Sequence, residues 1–127
     1  PIRWSDVDRQ GHVNNVSLAG YLQEARILAT TSWSPGMRRA GNYLWVVVRQ
    51  DIRYRRQVLP TQRSCRVHTA LTRLGTSSMT LAGSIATEEG SALDAATVLV
   101  CVDPKTGASV PSDDQTRQAL SAYLVTV

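Results

Sequence analysis

Trp4-Ser5-Asp6-Val7-Asp8-Arg9-Gln10-Gly11-His12-Val13-Asn14-Asn15 is the stretch on which the fold of this chain turns. Ser5 to Val13 read as a loop, with two Asp, one Gly and polar neighbours. Two asparagines then mark a helix start, with Asn14 as the N-cap whose side chain can accept from the first-turn N–H groups. The helix is predicted from about Asn15 to about Trp33, with Pro35-Gly36 to stop it. Asp8 therefore stands a few residues before a helix N-terminus. A carboxylate beside unpaired backbone donors is the minimum machinery for attacking a carbonyl and stabilising the oxyanion that results.

Working outward, the helix carries Val16, Leu18, Ala19, Tyr21, Leu22, Ala25, Ile27, Leu28 and Ala29. They cover most of its circumference, which predicts a helix enclosed by other elements. Pro1 to Trp4 read as the end of a short strand. Tyr43 to Tyr54 open on an apolar run and then alternate, with Val48, Ile52 and Tyr54 on one face and Arg49, Asp51, Arg53 and Arg55 on the other. Leu59-Pro60 makes a turn. Cys65, Val67, Thr69 and Leu71 share one face of the next strand. Arg73-Leu74-Gly75-Thr76 is a hairpin turn, Ser77 to Thr87 a strand, Glu88-Glu89-Gly90 a turn, and Ala92 to Val102 a strand. Val98 to Val102 are apolar on both faces, which places that strand centrally or at an interface. Ser112-Asp113-Asp114 caps a short C-terminal helix.

One strand, one long apolar helix and four hairpin-linked strands imply an α+β domain spanning 1–127. The predicted architecture is a curled antiparallel five-stranded sheet around one central helix. The 127 residues are 43% apolar, enough for one core. The formal charge is +4, and Lys105 is the only lysine among 14 basic residues. Scattered arginines suit a phosphate-bearing ligand as well as they suit an Arg-rich genome. No basic run is interleaved with aromatics and Phe is absent, so nucleic acid is not an expected partner. Cys65 and Cys101 share no short spacing with each other or with His12 and His68, so two buried thiols are expected and no metal. No apolar stretch approaches membrane-spanning length, and a cytoplasmic location is expected. The sequence opens at Pro1 without a Met, so a few preceding residues are expected to be missing.

These elements and this loop resemble the hot-dog thioesterases, in the branch of hydroxybenzoyl-CoA thioesterase and the YbgC-type acyl-CoA thioesterases. The plant acyl-carrier-protein thioesterases share the segment seen here as Arg3-Trp4-Ser5-Asp6-Val7-Asp8 and His12-Val13-Asn14-Asn15. Tyr21-Leu22, Glu24-Ala25-Arg26, Arg53-Tyr54-Arg55-Arg56 and Arg73-Leu74-Gly75-Thr76-Ser77-Ser78 also look like family segments. The resemblance implies hydrolysis of an acyl-CoA or acyl-carrier-protein thioester, in a homodimer or homotetramer with pantetheine threaded between subunits. It implies no cofactor beyond the CoA of the substrate. It sets the catalytic carboxylate on Asp8 and the carbonyl-polarising N–H on or next to Asn15. The hydroxybenzoyl branch carries aromatic residues where this chain has His12 and the two Asn, a departure that counts against an aromatic substrate.

Asp8 can serve as nucleophile, forming an anhydride, or as a base that activates water. Its alternative role is structural: a loop carboxylate near a positive helix end stabilises a fold by roughly 0.3–1 kcal/mol. Asp6 is expected to serve the loop by accepting backbone hydrogen bonds. Gly11 lets the backbone turn or approach a ligand. His12 contacts substrate, assists proton transfer or fills the loop. Asn14 belongs to the cap, and Tyr21 and Glu24 are candidates to line the pocket. Arg55, Arg56, Arg73, Ser77 and Ser78 are candidates for the CoA phosphates. Three other readings compete with an enzyme of this kind. One is a non-catalytic acyl-thioester-binding hot-dog protein. Another is a hot-dog hydratase or dehydratase, whose Asn-Pro pair this chain lacks. The last is a purely structural oligomer, which would leave the placement of Asp8 unexplained.

Overall fold

The computed structural model describes residues 1–34, 44–59, 64–88 and 90–125. A 3-10 turn at Trp4–Asp6 leads into α1 (Asn15–Trp33), β1 (Leu44–Tyr54), β2 (Arg66–Leu74), β3 (Ser78–Thr87), β4 (Gly90–Val102) and α2 (Asp114–Ser121). Among the described residues the sheet has four strands in the order β1-β4-β3-β2. Every neighbouring pair is antiparallel. The apolar run Val98 to Val102 lies in β4, an inner strand, as its two-sided apolar pattern predicts.

The fifth strand is a correction. Pro1 to Trp4 join no ladder, and the chain tightens into the Trp4–Asp6 turn instead. The Asp6 carboxylate accepts the Arg3 amide at 2.9 Å, and the Arg3 carbonyl accepts the Asp6 amide at 3.0 Å. That reciprocal pair closes the backbone on itself and withdraws its groups from strand pairing.

Helix α1 lies across one face of the sheet. Asn14 caps it, its Oδ1 accepting the Val16 amide at 2.7 Å. Its far end closes on a bond from the Ser34 amide to the Thr30 carbonyl at 3.0 Å. The expected stop at Pro35-Gly36 lies outside the described residues, as do Tyr43, Pro60 and Glu89 of the expected strand and turns. The expectation of an enclosed helix is not met by this chain. Leu18 and Leu22 are buried against the sheet, whereas Val16 is 79% and Leu28 66% exposed. A single four-stranded sheet covers only one side of a helix, so the remaining apolar flank faces outward.

Two apolar clusters fill the interface. Val13, Leu18, Leu22, Val58, Ile85, Ala92 and Leu93 form one; Leu71, Met79, Leu81, Leu99 and Leu120 form the other, under α2. Asp113 caps α2, accepting the Thr116 amide at 2.7 Å. Just past α2, the Leu71 carbonyl of β2 accepts the Val125 amide at 2.8 Å, and Leu124 bridges Leu71 in parallel. Cys101 is buried, Cys65 half-buried, and both are free thiols. The ladder of β1 on β4 shifts register between Val47 and Arg49. Val48 therefore has no partner on β4 and is 58% exposed, breaking the alternation predicted to group it with Ile52 and Tyr54.

Gly83 on β3 lies directly beneath Leu22 of α1. A Cβ at this position would meet Leu22 Cδ2 at 3.0 Å. Gly83→Val is expected to push α1 off the sheet and lower stability by about 1–3 kcal/mol. The urea midpoint reads this, and an unchanged midpoint would show that α1 has slack to move.

Candidate active site

Residues 7–13 form a tight hairpin, with Asp8 at the start of its turn. Val7 and Val13 bridge in antiparallel fashion. The Asp8 amide donates to the His12 carbonyl at 2.9 Å, and the Gly11 amide to the Asp8 carbonyl at 3.1 Å. Gly11 has φ +78°, a left-handed conformation that residues with a side chain rarely adopt. The Val13 amide reaches across to the Val58 carbonyl at 2.8 Å, tying the hairpin to the segment after β1. There the Arg55 and Arg56 amides both donate to the Ala92 carbonyl, at 2.8 and 3.1 Å. These bonds bring the hairpin, the start of α1 and the end of β1 to one place.

Between them lies a cleft of about 420 Å³, within the usual range for small-molecule sites. Asp8, His12, Asn14 and Asn15 line it, with Val13 and Leu18 as apolar floor and Tyr54, Arg55 and Arg56 opposite. Asp8 Oδ1 accepts the Gln10 amide at 3.0 Å and the His12 amide at 3.3 Å. Its Oδ2 meets no donor among the described residues. One oxygen is thus anchored and the other open to chemistry. Asn14 consumes the Val16 donor, while the Asn15 amide meets no acceptor among the described residues. That amide sits at the positive end of a 19-residue helix. His12 Nδ1 is buried without a partner among the described residues, so the imidazole is not held as a satisfied core group.

Arg55 is bound at the cleft edge by an ion pair from its Nε to Asp94, whose other oxygen accepts Ser91 Oγ at 3.0 Å. The Arg55 bond, with Ser91 adding, holds the Asp94 carboxyl below the usual carboxylate range. Other expected residues lie elsewhere. Tyr21 and Glu24 line a second hollow of about 210 Å³, with Leu28, Cys65 and Val67. Arg73, Ser77 and Ser78 sit at the β2–β3 hairpin and do not line the Asp8 cleft. Conversely, Tyr54, Gln10 and Gln57 line the cleft without having been singled out. For Tyr54 the signal was present: the alternation that turns Ile52 toward the helix also turns Tyr54. Its hydroxyl donates to the Asn15 carbonyl at 3.5 Å. Nothing in the local pattern marks the two glutamines.

Asp6 does more than expected. It is 2% exposed. Its carboxylate accepts the Arg3 backbone amide, the Arg3 guanidinium at 3.1–3.2 Å and the Tyr21 hydroxyl. The Tyr21 bond above all, with Arg3 assisting, holds this carboxyl well below its ordinary range although burial opposes the charge. The Tyr21 phenol is pushed up, first by burial and then by its bond to Asp6.

No group of three or more His, Cys, Asp or Glu among the described residues is placed to hold a metal ion. No helix among the described residues is long and apolar enough to cross a membrane.

Residues 2–120 match the family model described as the thioesterase-like superfamily. The YsmA protein of Bacillus subtilis (strain 168) is 31% identical over 120 residues, covering 94% of this chain and 80% of that protein. The fold superposes on YbaW of Escherichia coli, described as a probable thioesterase. The TM-score is 0.80 at 29% identity over 98% of this chain and 95% of that one. It also superposes on a thioesterase of Thermus thermophilus complexed with coenzyme A and Zn. There the TM-score is 0.78 at 28% identity, over 96% and 88% of the two chains.

Because the Asp6 carboxyl titrates lower in the fold than in the unfolded chain, its stabilisation is complete above the ordinary Asp value near about 4. It is lost as pH falls below that value. Asp6→Asn is expected to cost about 1.5–3 kcal/mol at neutral pH. The gap from wild type should shrink as pH drops toward about 3. Thermal melts across that range check it; a pH-independent gap would assign the loss to packing alone.

Proposed function

This chain belongs to the thioesterase-like superfamily, and from that premise we propose that it hydrolyses an acyl-CoA thioester at the Asp8 cleft. One observation carries the reading. A single cleft holds a carboxylate with one oxygen open and a helix start whose first amide is unpaired.

The thioester carbonyl enters with its oxygen toward the Asn15 amide and its carbon toward Asp8 Oδ2. As the tetrahedral centre forms, charge grows on the oxygen, where the helix end already points a donor and a favourable field. Such a donor is typically worth about 2.7–4 kcal/mol in the transition state. Asp8 either attacks the carbon itself, giving an anhydride that water then opens, or takes the proton of a water that attacks. The two bonds to Oδ1 hold the carboxylate in place for both routes. The leaving thiolate is stable enough to depart with little protonation, and His12 in the same cleft is positioned to supply a proton. Arg55 and Arg56 at the edge suit the phosphates of CoA, in keeping with the coenzyme A complex of the Thermus thermophilus relative. An acyl-carrier-protein donor would use the same basic edge for an acidic protein surface.

The proposed assembly is a homodimer. Strand β1 pairs on one side only among the described residues. A second copy laid antiparallel along its open edge, with the two-fold at Gln50, would set Arg49 opposite the partner's Asp51. This self-complementary register also covers apolar Val47 and Val48.

Asp8→Ala should lower kcat/KM by about 10²–10⁴-fold on whichever of acetyl-, hexanoyl-, dodecanoyl- or benzoyl-CoA is turned over best. Released thiol is the readout. Equal rates for both proteins would remove Asp8 from the chemistry, and binding without turnover of any of the four would favour a non-catalytic acyl-thioester binder. For the assembly, Asp51→Arg should weaken the dimer about tenfold, through two symmetry-related like-charge pairs. The swap Arg49→Asp with Asp51→Arg should restore it. Sedimentation distinguishes these, and a dimer indifferent to both would sink the register.

A further inference from the structure

Asp6, at the foot of the hairpin that carries Asp8, ties it to α1 at points far apart along the helix, with Ser17 of the first turn also bonding its carboxylate. Its backbone carbonyl accepts the amide of Asn14, the N-cap, at 2.6 Å. Its carboxylate accepts the hydroxyl of Tyr21, seven residues further along the helix. Seven residues span about 10 Å of helix axis. One contact would let the hairpin pivot on the helix end; two contacts that far apart fix its direction. Arg3 holds the same carboxylate as well, from the chain before the turn. Asp8 lies two residues beyond this joint, and the Asn15 amide one residue beyond the cap.

We propose that Asp6 is a positioning residue for thioester hydrolysis, using Tyr21 and Arg3 to hold Asp8 at a fixed distance from the start of α1. The proposal rests on the thioesterase reading above. Its physical basis is that displacing a reacting group by about 1 Å can cost about 10²-fold in rate. Tyr21 is therefore a part of the machinery that does not reach the cleft. Its ring packs against the apolar cluster around Leu18 and Leu22, so loss of the hydroxyl alone leaves that packing in place.

The test is a double-mutant cycle on kcat, run well below the melting temperature with the best acyl-CoA of the panel. Tyr21→Phe is expected to lower kcat about tenfold with KM changed less than about twofold. In the Asp8→Asn background the same change is expected to have no further effect, because there is no carboxylate left to position. Arg3→Gln should repeat the pattern, which keeps the test available should Tyr21→Phe fail to fold. A folded Tyr21→Phe enzyme with wild-type kcat overturns the proposal and leaves the thioesterase reading standing. So does an equal loss in both backgrounds, which marks a purely structural role. Full hydrolysis by Asp8→Asn overturns both.

Discussion

A carboxylate taken out of water and met by three groups of donors holds the two halves of this molecule in relation. Asp6 is buried, and an ionised group in that position is tolerable only when donors replace its lost hydration. Tyr21 and Arg3 do so, one from the helix and one from the chain before the turn. The same residue abolishes a strand by folding the N-terminal segment back on itself and closes the hairpin against the helix cap. The other fixed relation is the approach of α1 to the sheet at Gly83, where absence of a side chain admits Leu22. Between them, these two constraints place the helix start relative to both the sheet and the Asp8 loop.

The helix end then serves two purposes with neighbouring groups. Asn14 satisfies the Val16 amide, which steadies the first turn, while Asn15, whose amide meets no acceptor among the described residues, lines the cleft. Asp8 divides its labour similarly, with Oδ1 occupied by the loop's own amides and Oδ2 open. In the proposed reaction, preorganisation of this kind would place the cost of ordering donors and acceptor in folding, before any substrate arrives. The apolar floor of Val13 and Leu18 limits solvent on one side of the site and continues into the core.

Much of this was legible from local signals. Asn14 and Asp113 announced both helix starts, because capping depends on a side chain and an amide two or three residues away. The apolar run around Val100 announced a strand that is central or at an interface, and it lies inside the sheet with Leu99 and Cys101 buried and Val98, Val100 and Val102 partly so. The Asp8 loop was legible through its resemblance and through its nearness to the cap. What local pattern could not supply were relations across the fold. Tyr21 reads as a pocket residue and lines a hollow, but its bond to Asp6, fifteen positions earlier, carries no local signal. Arg73, Ser77 and Ser78 have suitable chemistry but stand at a hairpin away from the cleft. Val48 obeys a period of two that a bulge interrupts. The helix reads as enclosed because its apolar residues run around it, yet one sheet of this chain leaves Val16 and Leu28 outside.

The bond from Val125 to Leu71 couples the completion of the fold to the direction of synthesis. Strand β2 leaves the ribosome some fifty residues before the segment that lies beside its bulged end. During translation that end presents raw backbone to whatever is nearby, including other nascent chains on the same message. In the finished fold the segment around Leu124 and Val125 lies against that end, so later chain covers what an earlier strand leaves open.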